Sequence, residues 1–119
     1  MGITHATLKV KENFKKKDFI EIKFLVDSGA VYSLVPGKEL KKIGLKPHRK
    51  MNFVLADGTE IERNVGDAYF EWHSEGGAAP VIFGEDGDQP LLGSTTLASL
   101  GIVLNIFTRK LTIMRTMLA

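Results

Sequence analysis

The chain has 119 residues, 44% hydrophobic and 25% charged, with no cysteine. That length suits one domain, residues 1–119, and the apolar fraction suits a folded core, so disordered and fibrous classes are excluded. Without cysteine there is no disulfide scaffold, no thiolate metal site and no cysteine nucleophile. The net charge of +2 hides an asymmetry: residues 1–50 carry 12 Lys/Arg against 5 Asp/Glu, and residues 51–119 carry 4 against 9.

Leu8 and Val10 alternate with Lys9 and Lys11, the pattern of a strand with one face in water. The stretch Met1–Lys11 lacks the apolar block of a signal peptide. Gly2 fails as an acylation site, because Ala6 stands where Ser or Thr is needed. No run approaches the 18 apolar residues of a membrane-spanning helix. The expectation is an intracellular, cytoplasmic soluble protein.

Asn13–Asp18 reads as a turn, and the Lys9–Lys17 cluster with Phe14 and Phe19 reads as a solvated face rather than a nucleic-acid reader. In the next strand Ile20, Ile22, Phe24 and Val26 share one face. From Phe24 to Val26 both faces are apolar, so the strand dives inward before ending at Asp27.

Ser33-Leu34-Val35 forms a short strand stopped by Pro36-Gly37, with helical turns over Lys38–Ile43 and Gly44 as the stop. Met51, Phe53 and Leu55 alternate up to a tight hairpin at Asp57-Gly58. Ile61 and Val65 lead back. Ala68, Phe70 and Trp72 form one face of a further strand, with Trp72 in the core or an interface. Gly76-Gly77 and Glu85–Asp88 read as turns on either side of Pro80–Phe83. Ser94 is read as the cap of a short helix with Leu97 and Leu100 on one side, closed by Gly101. Strands Ile102–Phe107 and Lys110–Met114 follow. The fold expected is a mostly-β, closed or partly closed barrel with one short C-terminal helix.

Chemistry concentrates at Phe24-Leu25-Val26-Asp27-Ser28-Gly29-Ala30. A carboxylate at the end of a buried strand is costly unless it is hydrogen-bonded or used in a reaction. Ser28 offers a hydroxyl donor, Gly29 admits close backbone approach, and exposed N–H groups of the turn would hold the carboxylate oxygens. By itself Asp-Ser-Gly also fits ordinary turn chemistry. Glu85-Asp86-Gly87-Asp88 lacks the 12-residue EF-hand pattern and reads as a hairpin turn. His5, His48 and His73 lack metal-ligand spacing. No cofactor and no metal is called for.

Asp27-Ser28-Gly29-Ala30, then Leu91-Leu92-Gly93 about 65 residues on, then Leu97-x-x-Leu100-Gly101 and an apolar strand, resemble the retropepsin-like aspartic proteases. These include the retroviral enzymes and cellular relatives of the DNA-damage-inducible type. The resemblance spans Ile20 to Met114 and implies an acid-protease barrel and an aspartic-type endopeptidase activity. It further implies catalysis by Asp27, an active-site loop of Ser28, Gly29 and Ala30, support from Leu92 and Gly93, and a flap with its tip at Ala56, Asp57, Gly58 and Thr59. The polar tip departs from the glycine-rich, apolar tips of retroviral flaps, and Ser28 replaces the commoner Thr.

Peptide hydrolysis by this route needs two carboxylates about 3 Å apart sharing one proton. Asp57-Gly58-Thr59 and Asp86-Gly87-Asp88 do not repeat the motif, so the second acid must come from another copy in a C2 homodimer acting on a peptide or protein substrate. Two other classes compete. One is a catalytically silent retropepsin-like module for dimerisation or peptide binding, and the other is a small β-barrel binding nucleic acid. A membrane partner is not expected, and a nucleic-acid partner is disfavoured.

Overall fold

The structure, a computed structural model, describes residues 4–114. Gly2 lies outside the described residues. Nine strands and two short helices follow one another as β1 (His5–Lys11), β2 (Ile20–Val26), β3 (Ser33–Pro36), α1 (Gly37–Lys42), β4 (Arg49–Val54), β5 (Glu60–Trp72), β6 (Glu75–Gly84), β7 (Leu91–Leu92), α2 (Ser94–Leu100), β8 (Ile102–Asn105) and β9 (Lys110–Ile113). The mostly-β expectation holds.

Seven strands form one sheet in the order β1-β2-β7-β3-β6-β5-β4. An added β1–β5 ladder, Lys9 to Glu71 through Lys11 to Tyr69, joins the first strand to the sixth. Six strands therefore close into a ring, and β4 stands outside it, paired among the described residues only with β5. Ring closure covers the edges of those six strands, whereas β4 keeps an open one among the described residues. Its interior holds Leu8, Val10, Phe24, Val35, Phe70 and Val81, each 0–1% exposed. Phe24 and Phe70 meet at a tilt, their ring centroids 6.2 Å apart.

β5 corrects the sequence reading. Ile61–Val65 and Ala68–Trp72 are one 13-residue strand, not two. Ile61, Arg63 and Val65 occupy odd positions, whereas Ala68 and Phe70 occupy even ones. Val65 belongs to a small cluster with Leu34 and Ile82, and Ala68 and Phe70 belong to the main core. The strand thus changes its buried face at Gly66. A Cβ there would lie 3.0 Å from both the Lys46 carbonyl oxygen and Phe83 Cε1. A side chain there would press on both neighbours, so glycine is favoured where both faces are covered.

Gly76-Gly77 is not a turn. Both glycines lie inside β6, opposite Glu71 and Phe70, and the reversal falls at His73-Ser74, with His73 at φ 53°. Their missing side chains make room for the Tyr69 ring and the Ser99 backbone. A Gly-Gly pair reads as a turn signal in the sequence, but here it answers to tertiary crowding. The turn after β6 is real: the Asp88 and Glu85 backbones bond at 2.9 Å, and Gly87 has φ 90°.

α1 runs one residue earlier than expected and ends before Gly44, at φ 85°. The N-cap of α2 is Gly93, not Ser94, and no side chain caps the helix; Gly101 closes it in the left-handed conformation at φ 68°. β8 stops at Asn105, two residues early, because the Asn105 Oδ1 accepts the Phe107 and Thr108 N–H groups and turns the chain. β9 ends at Ile113 rather than Met114, and β8 and β9 form a separate two-stranded sheet.

Candidate active site

The short strand β7 sets the site. It lies parallel to β2, with Leu25 opposite Leu91 and Val26 opposite Leu92, and antiparallel to β3 at Leu34. The Leu25 N–H donates to the Pro90 carbonyl at 3.1 Å and the Asp27 N–H to the Leu92 carbonyl at 3.0 Å. Beyond Leu92 the chain turns into α2, so β2 loses its neighbour at Asp27 and must turn as well. The Ala30 N–H returns to the Asp27 carbonyl at 3.1 Å.

Inside that turn the Gly29 N–H donates to Asp27 Oδ1 at 3.0 Å. The carboxylate is held by its own loop, an Asx-type turn. A Cβ on Gly29 would sit 3.2 Å from the same oxygen. The expectation of a buried carboxylate needs correction: Asp27, Ser28 and Gly29 are exposed in the single chain. The physical reason is the end of β7, which brings β2 out at the open end of the barrel.

The loop is supported from behind. Leu92 is wholly buried, and a Cβ on Gly93 would fall 2.6 Å from the Tyr32 carbonyl oxygen and 3.0 Å from that of Ala30. The Ser94 N–H donates to the Ala30 carbonyl at 2.7 Å and the Thr95 N–H to that of Val31 at 3.0 Å. The first N–H groups of a helix have no intrahelical partner; here two of them bond to the carbonyls of the loop. Ser33 and Thr96 form a fully buried hydroxyl pair, and Ser33 Oγ accepts the Gly93 N–H at 2.9 Å.

A cleft of about 470 Å³ opens beside this loop. Gly29, Ala30, Val31 and Tyr32 line one side, Leu34, Ile82 and Leu91 the floor, and Met51–Leu55, Ile61 and Arg63 of the β4–β5 hairpin the other side. Tyr32 and Phe53 meet edge to face across it, their centroids 6.3 Å apart. The hairpin is two-sided. Met51, Phe53 and Ile61 turn inward, and Glu60 and Glu62 are exposed.

Ala56, Asp57, Gly58 and Thr59 form the exposed hairpin tip and do not line the cleft. The tip is closed by the Leu55 N–H on the Thr59 carbonyl at 2.8 Å and the Thr59 N–H on Asp57 Oδ1 at 2.9 Å. That Thr59 N–H, then the Thr59 hydroxyl, holds the Asp57 carboxyl below its usual value.

Sequence reasoning missed Val31, Tyr32, Phe53 and Arg63 as cleft residues. Arg63 carried a signal: it is a charge in phase with Ile61 and Val65. Among the described residues no group of three His, Asp or Glu side chains is placed to hold a metal ion. No helix among them is long and apolar enough to cross a membrane.

No family model and no curated protein sequence matches the chain. Solved structures do match. The solution structure of simian foamy virus (mac) protease aligns over 79% of this chain and 91% of its own, with TM-score 0.54 and 21% identity. EIAV protease in complex with the inhibitor HBY-793 aligns over 84% and 89%, with TM-score 0.58 and 15% identity. The chain has the retropepsin-like fold, and at these identities the likeness speaks to fold alone.

Proposed function

We propose that the chain is an aspartic endopeptidase and that its active site forms when Asp27 from each of two copies meets on a two-fold axis. The observation that carries this reading is the Asp27 loop: a carboxylate fixed by the Gly29 N–H, pinned through its backbone to Leu92, beside an apolar cleft. The retropepsin-like fold supports it.

One chain supplies one such acid. Two carboxylates about 3 Å apart hold a single proton, because both cannot ionise at that distance. The ionised member takes a proton from water as the water attacks the scissile carbonyl carbon. The protonated member donates to the carbonyl oxygen, and the resulting diol collapses with protonation of the leaving amine. The substrate would lie extended in the cleft, its main chain pairing like an added strand and its apolar side chains against Tyr32, Phe53 and Ile82.

In this reading Ser28 and Gly29 brace the two loops across the axis, Ala30 lines the cleft, and Leu92 and Gly93 back the loop. The hairpin with its tip at Ala56, Asp57, Gly58 and Thr59 is the flap that excludes water. A second copy is further supported by the β8–β9 hairpin, which leaves Val103, Ile106, Phe107 and Ile113 exposed, Phe107 at 91%. Apolar side chains gathered on one exposed element mark a surface awaiting a partner.

The test is digestion of a peptide library by the full chain from about pH 3 to 8, with Asp27→Asn as control, over the range in which carboxylate dyads titrate. Cleavage by the wild type and none by the variant is expected. Cleavage by both removes the mechanism, and silence of a dimeric wild type identifies a non-catalytic module.

A further inference from the structure

Arg63 lies on the wrong face for a charge. It sits in β5 between Ile61 and Val65 and borders the apolar cleft, with its side chain 13% exposed. A guanidinium so placed is unfavourable unless its donors are met. Three of its four contacts come from one neighbouring turn. Nε donates to Asp88 Oδ2 at 2.8 Å and Nη2 to Asp88 Oδ1 at 3.1 Å, a two-pronged bond, and Nη1 stands 3.5 Å from Glu85 Oε1. Nη1 also donates to the carbonyl of Glu62 at 2.9 Å.

The acceptor is itself fixed. Asp88 Oδ2 takes the Glu85 N–H at 2.8 Å, so the carboxylate that grips Arg63 also closes the turn between β6 and β7. Two residues past Asp88, the carbonyls of Pro90 and then Leu92 accept the N–H groups of Leu25 in β2 and of Asp27 just beyond it. A line of directed bonds therefore runs from the hairpin strand, through the 85–88 turn, to the strand that ends at the carboxylate.

The other ion pairs of the hairpin are weaker ties. Lys50–Glu62 at 3.9 Å lies within the hairpin, and His48–Asp67 at 3.1 Å joins two exposed side chains at its root. Among the described residues β4 has no strand neighbour but β5. The tip at Gly58 lies five residues beyond Arg63, roughly 16 Å of extended strand, so a small rotation at Arg63 becomes a large displacement at the tip.

We infer that Arg63 and Asp88 are positioning residues that anchor the β4–β5 hairpin and set its angle over the cleft. This rests on the proposed peptidase reading only for its kinetic consequence. The anchor fixes how the hairpin meets a bound peptide, not the chemistry at Asp27. Arg63→Lys keeps the charge but loses the two-pronged geometry, so it restrains the hairpin only in part.

Hydrogen exchange on the full chain tests the anchor without reference to activity. In Asp88→Asn the amides of residues 51–62 should exchange about tenfold faster than the loss of global stability, read at Phe24, Phe70 and Val81, accounts for; Arg63→Lys should fall between. In peptide hydrolysis the same variant should raise KM about tenfold and leave kcat within about twofold, the sign of lost binding and not lost chemistry. Unchanged exchange at 51–62, or a rise spread evenly through the barrel, overturns the inference. Selective loosening in a chain that cleaves nothing keeps the anchor and removes the peptidase reading instead.

Discussion

The backbone N–H of Asp27 donates to the carbonyl oxygen of Leu92 at 3.0 Å, joining two residues 65 apart in the chain. That bond is the last rung between β2 and β7. It fixes where the strand stops, and so where the carboxylate emerges. Gly93, the next residue, takes the remaining space behind the loop. A methyl group there would meet backbone atoms of Tyr32 and Ala30, which cannot rotate away as a side chain could. Gly93→Ala should therefore destabilise the chain by about 1–3 kcal/mol, the usual range for overpacking. It should lower peptide hydrolysis more than thermal unfolding alone explains. Calorimetry beside a hydrolysis assay checks both.

Ser33 and Thr96 carry the next prediction. Their hydroxyls are fully buried and bond to each other, and Ser33 Oγ alone of the two accepts the Gly93 N–H. Ser33→Ala strands the Gly93 N–H as well as the Thr96 hydroxyl, each at about 1–3 kcal/mol. Thr96→Val removes one hydroxyl and leaves the Gly93 bond in place, so it should cost less. In denaturant unfolding the double variant should fall short of the sum of the singles, since the two residues share one network.

The Arg63–Asp88 pair predicts a pH dependence. The hydrogen bond from Arg63 holds the Asp88 carboxyl below its ordinary value of 3.8, outweighing its partial burial, and the Glu85 N–H adds to the lowering. A depressed folded-state value means that stability is fully present above the unfolded value and is lost as pH falls through the folded one. With side chains 13% and 18% exposed, the pair is sheltered enough to contribute about 1–3 kcal/mol as hydrogen bonds between charged groups. The gap in unfolding free energy between wild type and Asp88→Asn should be constant above about pH 5 and close below about pH 4. A gap that widens toward acid contradicts the assignment.

Phe107 tests the assembly. It is 91% exposed, so Phe107→Asp should leave unfolding of the single chain unchanged within about 0.5 kcal/mol, as for other surface changes. If a second copy covers the β8–β9 hairpin, the variant loses about 2 kcal/mol of apolar burial at each of the two symmetry-related positions, about 4 kcal/mol together and roughly a 1,000-fold weaker dimer. Sedimentation of both proteins across a concentration series reads this directly, and an unchanged dimer places the interface elsewhere.

Local signals in the chain were enough for much of this. Alternation from Ile20 to Val26 marked a strand with one buried face, because side-chain direction in a strand has period two. Positive-φ glycines at 44, 58, 87 and 101 ended elements where they were expected to. Asp27, Gly29 and Leu92-Gly93 were legible as short words in the right order. Gly76-Gly77 and Gly66 were not legible. Their glycines answer to Tyr69, Ser99, Lys46 and Phe83, neighbours that no window of sequence contains.

The amino-acid order by itself determined the strand pattern, the turn at Asp27 and the presence of one such acid per chain, since these follow from side-chain period and backbone freedom over a few residues. Only the tertiary structure decided that Arg63 meets Asp88 and that one strand carries Val65 and Phe70 into different clusters. It also decided that the carboxylate of Asp27 faces outward. Those outcomes depend on which strands lie side by side once the ring has closed, and ring closure is set by contacts between residues far apart in the chain.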